Sequence, residues 1–216
     1  MKLIELSKDN SLLNHFIAEL RDVEVQKDRM RFRRNLERIG EVAAYEISKK
    51  LKYKASKVTT PLGIAGVPKL SEQPVISTIL RASLPLHMGL LNYFDQADNA
   101  FISAYRKHSK DGSFIIKLEY MSSPKLEGRT LILCDPMLAT GQSMLLTYKE
   151  MMRFGKPKHT HLVSVIASRD GVEYMKAHLP SNVTLWVGVI DEELTAQSYI
   201  VPGLGDAGDL AFGKKV

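Results

Sequence analysis

The chain has 216 residues, of which 44% are hydrophobic and 25% charged, which is enough for one large domain with a full hydrophobic core. A formal net charge of +6 and a pI of about 9.3 permit an anionic partner such as nucleic acid, a phosphate compound or a membrane surface, but select none of them. The single cysteine, Cys134, excludes an intrachain disulfide and a cysteine metal cluster. We therefore expect a cytoplasmic protein.

The start of the chain, MKLIELSKDN, lacks the apolar core of a signal peptide. No segment approaches the roughly 20 apolar residues that span a membrane, so we expect no membrane partner. Apolar residues at helical spacing then predict two amphipathic helices, over 11–20 and 28–51. The second helix carries a basic group that is either a solvated helix face, which is favoured, or a surface for a nucleotide or RNA. Its members are Lys27, Arg29, Arg31, Arg33, Arg34 and Arg38.

After a passage rich in glycine and proline, TTPLGIAGVPKL, short apolar runs alternate with helical patterns. This alternation predicts an α/β fold with a mainly parallel sheet and helices on both faces. The predicted strands are 75–80, 100–105, 130–135, 161–168 and 183–190, and the predicted helices are 84–94, 142–154 and 170–178.

Residues 106–129 interrupt this rhythm. A Lys-Asp-Gly-Ser turn signal beside the alternating stretch FIIKLEY predicts a β-hairpin excursion, which could serve as a lid or as a dimerisation arm. We see no internal repeat and no linker, and we therefore expect one domain over 1–216, with the N-terminal helices within 1–52.

The stretch LILCDPMLATGQSM, residues 131–144, predicts a binding site. Asp135 follows a continuous apolar run, at the end of a strand buried on both faces, and ligands bind at the carboxyl ends of parallel strands. The small and hydroxylated residues 139–143 precede a helix, whose first backbone N–H groups and dipole attract an anion. A carboxylate can accept hydrogen bonds from ribose hydroxyls, so the segment is interpreted as a ribose-phosphate site. The alternative is an ordinary helix start capped by Thr140 or Ser143.

Two common nucleotide motifs are absent from the sequence. Nothing matches the Walker A pattern or the Gly-x-Gly-x-x-Gly fingerprint, which argues against an ATPase or a dehydrogenase.

Four motifs in one order resemble a known family. DPMLATGQS, residues 135–143, resembles the phosphoribosyl pyrophosphate (PRPP) motif of type I phosphoribosyltransferases, and in this form it resembles their uracil phosphoribosyltransferase branch. YIVPGLGDAGDLAFG, residues 199–213, is similar to the uracil-binding loop of that branch. ILRASLPL, residues 79–86, resembles its pyrophosphate-binding segment, and AYRKH, residues 104–108, falls where the family has a second PRPP-binding arginine.

This resemblance implies a type I phosphoribosyltransferase fold with N-terminal helices, a β-hairpin arm and a base-binding loop within 195–213. The implied enzyme condenses uracil with PRPP to give UMP and pyrophosphate, in pyrimidine salvage. Arg81 and Arg106 would bind pyrophosphate oxygens, and Asp135 the ribose hydroxyls. Asp206 would contact PRPP, directly or through magnesium. The remaining implied PRPP-binding residues are Pro136, Met137, Leu138, Ala139, Thr140, Gly141, Gln142 and Ser143.

The resemblance also assigns uracil recognition to the C-terminal loop, at Ile200, Gly205, Asp206 and Ala207, chiefly through the backbone. It implies Mg²⁺ bound mainly through PRPP, without a dedicated metal cage in the protein. Assembly into a dimer or larger homo-oligomer is expected, and GTP is a candidate activator. The sequence assigns no general base.

The sequence departs from the family pattern at two positions. Ser83 replaces the glycine usual after Arg-Ala, and Gln142 replaces the second glycine of the phosphate turn. Both changes keep the backbone N–H donors.

Three other functions stay open. One is a regulator that binds RNA through the basic helix, and because it is a rival interpretation, nucleic acid is the less favoured partner. The others are a phosphoribosyltransferase for another base, such as xanthine or orotate, and an inactive interaction module.

Overall fold

The computed structural model describes residues 1–108 and 114–215, and it describes side chains outside 104–118. The α-helices in these residues are α1 (Leu12–Arg21), α2 (Arg29–Ser48), α3 (Leu84–Tyr93), α4 (Gln142–Met151), α5 (Arg169–His178) and α6 (Ala207–Phe212). The strands are β1 (Lys2–Glu5), β2 (Tyr53–Thr60), β3 (Gly63–Leu70), β4 (Val75–Leu80), β5 (Asp98–His108), β6 (Phe114–Ser122), β7 (Thr130–Cys134), β8 (Met137–Leu138), β9 (His159–Ser168), β10 (Val183–Asp191), β11 (Glu193–Leu194) and β12 (Ile200–Val201).

The main sheet has the strand order β1-β10-β9-β7-β4-β5-β6, with β8 added beside β9. Every neighbouring pair in it is parallel except β5 and β6, which pair antiparallel. The predicted α/β fold with a mainly parallel sheet is therefore confirmed, and so is the β-hairpin. The turn predicted at the Lys-Asp-Gly-Ser signal, residues 110–113, lies outside the described residues.

Helices cover both faces of the sheet, which explains why its central strands are continuous apolar runs. Every residue of β7 is buried, and alternate side chains face opposite layers. Ile132 packs with the buried residues of α1, α2, α3 and α6. Leu133 packs with those of α4 and α5. Burial on both faces leaves the strand ends as the places where polar groups of the sheet meet solvent.

The structure corrects several predicted element bounds. The N-terminal helices run 12–21 and 29–48 rather than 11–20 and 28–51, because Ser11 and Asp28 accept hydrogen bonds from the first-turn N–H groups as caps. The predicted strand 100–105 extends over 98–108. The helix predicted over 142–154 ends at Met151 and continues as a 3₁₀ turn.

The sequence interpretation missed β1, the strands β2 and β3, and the two-residue strands β8, β11 and β12. β1 pairs with β10 at one edge of the main sheet, and β2 and β3 form a separate two-stranded antiparallel ribbon. The ribbon lies in and around the glycine- and proline-rich passage and is largely exposed, with Leu62 at its turn 99% exposed. No element was predicted there, because no face of the ribbon is buried enough to impose an apolar alternation on its sequence.

Helices α2 and α3 approach each other backbone to backbone. A Cβ atom at Gly40 would lie 2.3 Å from the carbonyl oxygen of Leu86, and a Cβ atom at Gly89 would lie 1.9 Å from the carbonyl oxygen of Glu37. Both distances are far below van der Waals contact. The two glycines therefore set the separation of α2 and α3, and α3 directly follows the loop that contains Arg81.

Replacing Gly40 by alanine should destabilise the protein by about 1–3 kcal/mol, because the added methyl group forces the two helix backbones apart. The matched control is Gly66→Ala on β3, where an added Cβ has no heavy atom within 4 Å. Urea unfolding followed by circular dichroism measures both. Equal unfolding midpoints for the two variants would contradict the close-packing argument.

Candidate active site

The candidate site lies at the carboxyl ends of neighbouring parallel strands. Arg81 directly follows β4 and Asp135 directly follows β7, and these strands are adjacent in the sheet. β9 and β10 end at Ser168 and Asp191 on the same edge. Parallel strands place their carboxyl ends together, so this edge collects residues that are far apart in the chain.

The turn after β7 leads from Asp135 into helix α4. The backbone N–H of Met137 donates to the Asp135 carboxylate at 3.4 Å, and β8 then pairs with β9. Gly141 is the residue before the helix and has a left-handed conformation, φ 78°, which glycine adopts without strain. Gly141 offers no side chain to cap α4, but the Gln142 N–H donates to the Thr140 hydroxyl at 3.5 Å, a long hydrogen bond of the kind that the alternative interpretation predicted. Among the described residues, no side chain accepts from the next N–H groups, those of Ser143 and Met144, which are available to an anion.

Two residues that the sequence interpretation missed hold this turn. The Ser168 hydroxyl donates to the carbonyl oxygen of Ala139 at 2.6 Å and accepts from the N–H of Gly171 at 2.8 Å. A Cβ atom at Gly171 would lie 2.3 Å from the Ala139 carbonyl oxygen. The start of α5 thus packs directly on the backbone of the turn. A serine at the end of an apolar strand, followed three residues later by glycine, is the only sequence signal.

Arg81 contacts the C-terminal segment. Its guanidinium donates to the Asp209 carboxylate at 2.8 Å and to the carbonyl oxygen of Gly213 at 2.6 Å. Gly208 lies beside the Arg81 guanidinium, since a Cβ atom at Gly208 would be 3.7 Å from the Arg81 Nε atom. The side chain of Arg81 is 39% exposed. The guanidinium is thus oriented by the protein and still accessible from solvent.

Asp206, next to this contact, caps helix α6. One carboxylate oxygen accepts from the Asp209 N–H at 2.9 Å, and the other lies 3.5 Å from the Lys215 ammonium. This arrangement fixes the orientation of the Asp206 side chain relative to Asp209 and therefore to Arg81. Two of the predicted site residues, Arg81 and Asp206, are joined through one acid that was not predicted.

The segment predicted to bind the base is held by the first helix of the chain. Asp191, at the end of β10, forms a two-pronged ion pair with Arg21 of α1, at 2.8 and 3.0 Å. The same carboxylate accepts from the N–H of Gly203 at 2.9 Å, and Arg21 also donates to the Gly203 carbonyl oxygen at 3.4 Å. Asp191 is 6% exposed. The pair was not predicted because its members are 170 residues apart and neither belongs to a motif.

Ile200 and the residues around it form a compact loop. Ile200 is buried on β12, which pairs with β11, and the Val201–Pro202 peptide bond is cis. Gly203 and Gly205 have positive φ angles of 55° and 94°. Ala207 is 3% exposed at the start of α6. The predicted base-binding residues Ile200, Gly205, Asp206 and Ala207 therefore lie in one folded segment anchored by Asp191.

The predicted residues differ in how they relate to the site. Arg106 lies on β5, with its backbone paired to Ile116 of β6, but its side chain lies outside the described residues. Gln142 is exposed, so its amide points away from the core. Ser83 is buried, and its hydroxyl donates to the Ile79 carbonyl oxygen, which explains how serine fits where the family pattern has glycine.

The cysteine inside the β7 run is chemically inert. Burial raises the pKa of the Cys134 thiol to about 12, so the group stays protonated. Although it directly precedes Asp135, it contributes packing to the site and no nucleophile.

The basic group on the second helix is largely occupied by contacts within the protein. Arg31 pairs with Glu19, Arg34 with Glu37, and Arg33 donates to the Ala211 carbonyl oxygen at 2.7 Å.

Among the described residues, no three His, Cys, Asp or Glu side chains are placed to hold a metal ion. No helix in the described ranges is long and apolar enough to cross a membrane.

The architecture has the phosphoribosyltransferase fold. A hypoxanthine phosphoribosyltransferase structure from Staphylococcus aureus superposes with a TM-score of 0.50 at 15% identity, covering 87% of this chain and 84% of that one. A solved protein structure from Aquifex aeolicus matches over 99% of both chains, with a TM-score of 0.87 and 28% identity.

Sequence comparison identifies the family within this fold to which the chain belongs. The family model described as uracil phosphoribosyltransferase matches residues 7–214, and the chain belongs to this family. A uracil phosphoribosyltransferase of Porphyromonas gingivalis is 53% identical over 216 residues, covering 100% of both chains. One of Pyrococcus furiosus is 38% identical over 214 residues, covering 97% of this chain and 89% of the relative.

Replacing Arg21 by methionine should cost about 3–5 kcal/mol of folding free energy, because it leaves the buried Asp191 carboxylate without its partner. The matched control is Arg153→Met, whose side chain is 79% exposed and pairs with Glu150, and which should cost about 0–1 kcal/mol. Urea denaturation measures both variants. A similar small cost for the two would contradict an anchoring role for the Arg21–Asp191 pair.

Proposed function

We propose that the protein transfers the phosphoribosyl group of PRPP to uracil, forming UMP and pyrophosphate in pyrimidine salvage. The observation that carries this proposal is the contact of Arg81 with the 206–213 segment, on the same sheet edge as the turn after Asp135. A pyrophosphate-binding arginine, a phosphate turn and a base-binding loop must adjoin one another for this reaction. Full-length similarity to proteins named uracil phosphoribosyltransferase supports the assignment.

The reaction breaks the bond from the anomeric carbon to pyrophosphate and forms a bond to a ring nitrogen, through a transition state with oxocarbenium character. Arg81, and Arg106 with it, would stabilise the negative charge that develops on the leaving pyrophosphate. Because Asp209 already orients the Arg81 guanidinium, little reorganisation is needed when PRPP binds. The N–H groups at the start of α4 would bind the 5-phosphate, within the segment Pro136–Ser143, and Asp135 would hold the ribose hydroxyls.

Base recognition would come from backbone groups at Ile200, Gly205, Asp206 and Ala207. Uracil presents acceptor, donor and acceptor atoms along O4, N3–H and O2, so a loop that offers N–H, C=O and N–H is complementary. Cytosine reverses two of these groups, and each mispaired buried group costs about 1–3 kcal/mol. The hydrogen bonds from Asp191 and Arg21 to Gly203 would keep this loop in register.

Mg²⁺ would enter with PRPP. The carboxylates of Asp135 and Asp206 are oxygen donors of the kind this cation accepts, and neither belongs to a group of three possible metal ligands among the described residues, which fits an ion held largely by phosphate oxygens and water. When bound, the cation neutralises charge on the pyrophosphate group. The protein side chains then position the phosphates and the ribose.

We further propose that residues 1–216 form one phosphoribosyltransferase domain and that it assembles into a dimer or larger homo-oligomer, with the 106–129 hairpin as an interface element. Light scattering of the purified protein tests this assembly.

We propose a cytoplasmic enzyme for which nucleic acid is not a partner. The contacts that the α2 arginines make within the protein support this proposal. GTP is the proposed activator, and adding it to the activity assay tests that role.

Incubation of the purified protein with PRPP, Mg²⁺ and a single base should give nucleotide with uracil. With cytosine, turnover should be at least about 100-fold lower, because two buried groups are mispaired. Xanthine and orotate serve as further comparisons, and nucleotide formation is followed by chromatography. Preference for another base would overturn the assignment of 199–207, whereas PRPP binding without turnover of any base would favour a regulatory protein on the same fold.

Arg81→Ala should lower kcat for uracil by about 10²–10³-fold, the usual cost of removing one donor that stabilises transition-state charge. Arg153→Ala, which removes an exposed arginine from the turn after α4, should change kcat less than about twofold. Circular dichroism establishes that both variants fold. If Arg81→Ala kept normal kcat, its guanidinium would not contact the leaving group.

A further inference from the structure

A cavity of about 420 Å³ opens at the amino ends of the parallel strands, on the edge opposite the candidate active site. Its wall includes Lys2, Thr130 and His159, the first residues of β1, β7 and β9. Thr130 and Asp135 are separated by the length of β7, about 16 Å at the usual rise per residue. The volume falls within the roughly 300–1,000 Å³ of ligand-binding pockets. None of the residues assigned to PRPP or uracil lines it.

The rim of this cavity is strongly basic. Four lysines line it, Lys2, Lys50, Lys52 and Lys158, together with one acid, Glu72. Lys158 forms an ion pair with Glu72. The other three lysines are exposed, and they form no ion pair with any acid among the described side chains, those of 1–103 and 119–215. The cavity therefore carries three unbalanced positive charges. A carboxylate offers one negative charge, whereas a phosphate monoester offers about 1.5–2 at neutral pH and is the better match.

The floor of the cavity is apolar and contains neutral rings. Ile4 and Leu51 line it together with His159, His161 and Trp186. The ring centroids of the two histidines are 4.6 Å apart, and those of His161 and Trp186 are 5.9 Å apart. Such a floor suits the organic part of a ligand and not only a bare ion.

A hydrogen bond fixes the protonation state of the innermost histidine. The indole N–H of Trp186 donates to Nδ1 of His161 at 3.0 Å, and an indole can only donate. Nδ1 therefore carries no proton, and the neutral ring bears its proton on Nε2. Burial, with a smaller effect of His159, lowers the pKa of His161 to about 3, so the ring stays neutral at physiological pH. The floor thus includes a fixed N–H donor that adds no charge.

We propose that this cavity is a second ligand site, which binds a small phosphate monoester with a compact organic group. The phosphate lies at Lys2, Lys50 and Lys52, and the organic group lies on the floor formed by Leu51 and the histidines. A nucleoside monophosphate and a sugar phosphate share this chemistry. The site is independent of the proposed PRPP and uracil site, and the proposal stands whichever base the enzyme uses.

The test uses the fluorescence of Trp186, the only tryptophan in the chain. The full-length protein is titrated with AMP, with ribose 5-phosphate and with inorganic phosphate, and binding is repeated by calorimetry. We expect a saturable emission change with at least one of the two organic phosphates, and weaker binding of inorganic phosphate. Which of the two binds more tightly identifies the source of the phosphate group. The Lys50→Gln, Lys52→Gln double variant should raise Kd at least about tenfold, because two of the three unbalanced charges are lost.

Two controls separate this site from general charge and from the active site. Lys54→Gln with Lys57→Gln removes the same charge from exposed positions of β2 that do not line the cavity, and it should change Kd less than about twofold. Asp135→Asn, which alters the carboxylate proposed to hold the ribose hydroxyls in the active site, should also leave the Trp186 response unchanged. The proposal is overturned by equal weakening of binding in both lysine pairs, or by a response lost in Asp135→Asn and kept in Lys50→Gln, Lys52→Gln. It is also overturned by inorganic phosphate binding as tightly as the organic phosphates, or by no signal in fluorescence and calorimetry.

Discussion

The arrangement of the candidate site depends most on the interactions of the Asp191 carboxylate. It ends β10, pairs with Arg21 from the first helix and accepts a hydrogen bond from the loop at Gly203. A buried carboxylate requires such partners, since an unpaired charge away from water is costly. The requirement holds three distant segments in one geometry. The N-terminal helices are therefore structural support for the C-terminal loop and not an independent appendage.

The same edge is organised by a second constraint, the parallel pairing of buried strands. Helical crossovers connect the parallel strands, so the carboxyl ends of these strands lie at one edge of the sheet. Arg81 and Asp135 follow adjacent strands at this edge. The opposite edge receives the strand starts and a cluster of lysines. One sheet thus presents two chemically different ends, with oriented backbone N–H groups and an arginine at one and exposed lysine ammonium groups at the other.

The sequence predicted the parts of the fold that depend on local pattern. The apolar runs at 75–80 and 130–135 predicted central strands because burial on both faces removes alternation. Short motifs predicted the family and the segments of the site. The ribbon of β2 and β3 escaped prediction because it is exposed, and β1 because one edge strand of four residues carries little signal. Arg21 with Asp191, and Ser168 with Gly171, escaped because their roles arise from contacts made only in the folded chain.

The contact of α5 with the turn after β7 has a consequence for the entropy of binding. Flexible phosphate-binding loops lose conformational freedom when a ligand orders them, at about 1–2 kcal/mol for each residue fixed. Here Ser168 and the bare backbone of Gly171 already hold Ala139 in place without a ligand. Affinity for a phosphate at this turn is then set by charge and desolvation and owes little to loop ordering, as in preorganised sites generally.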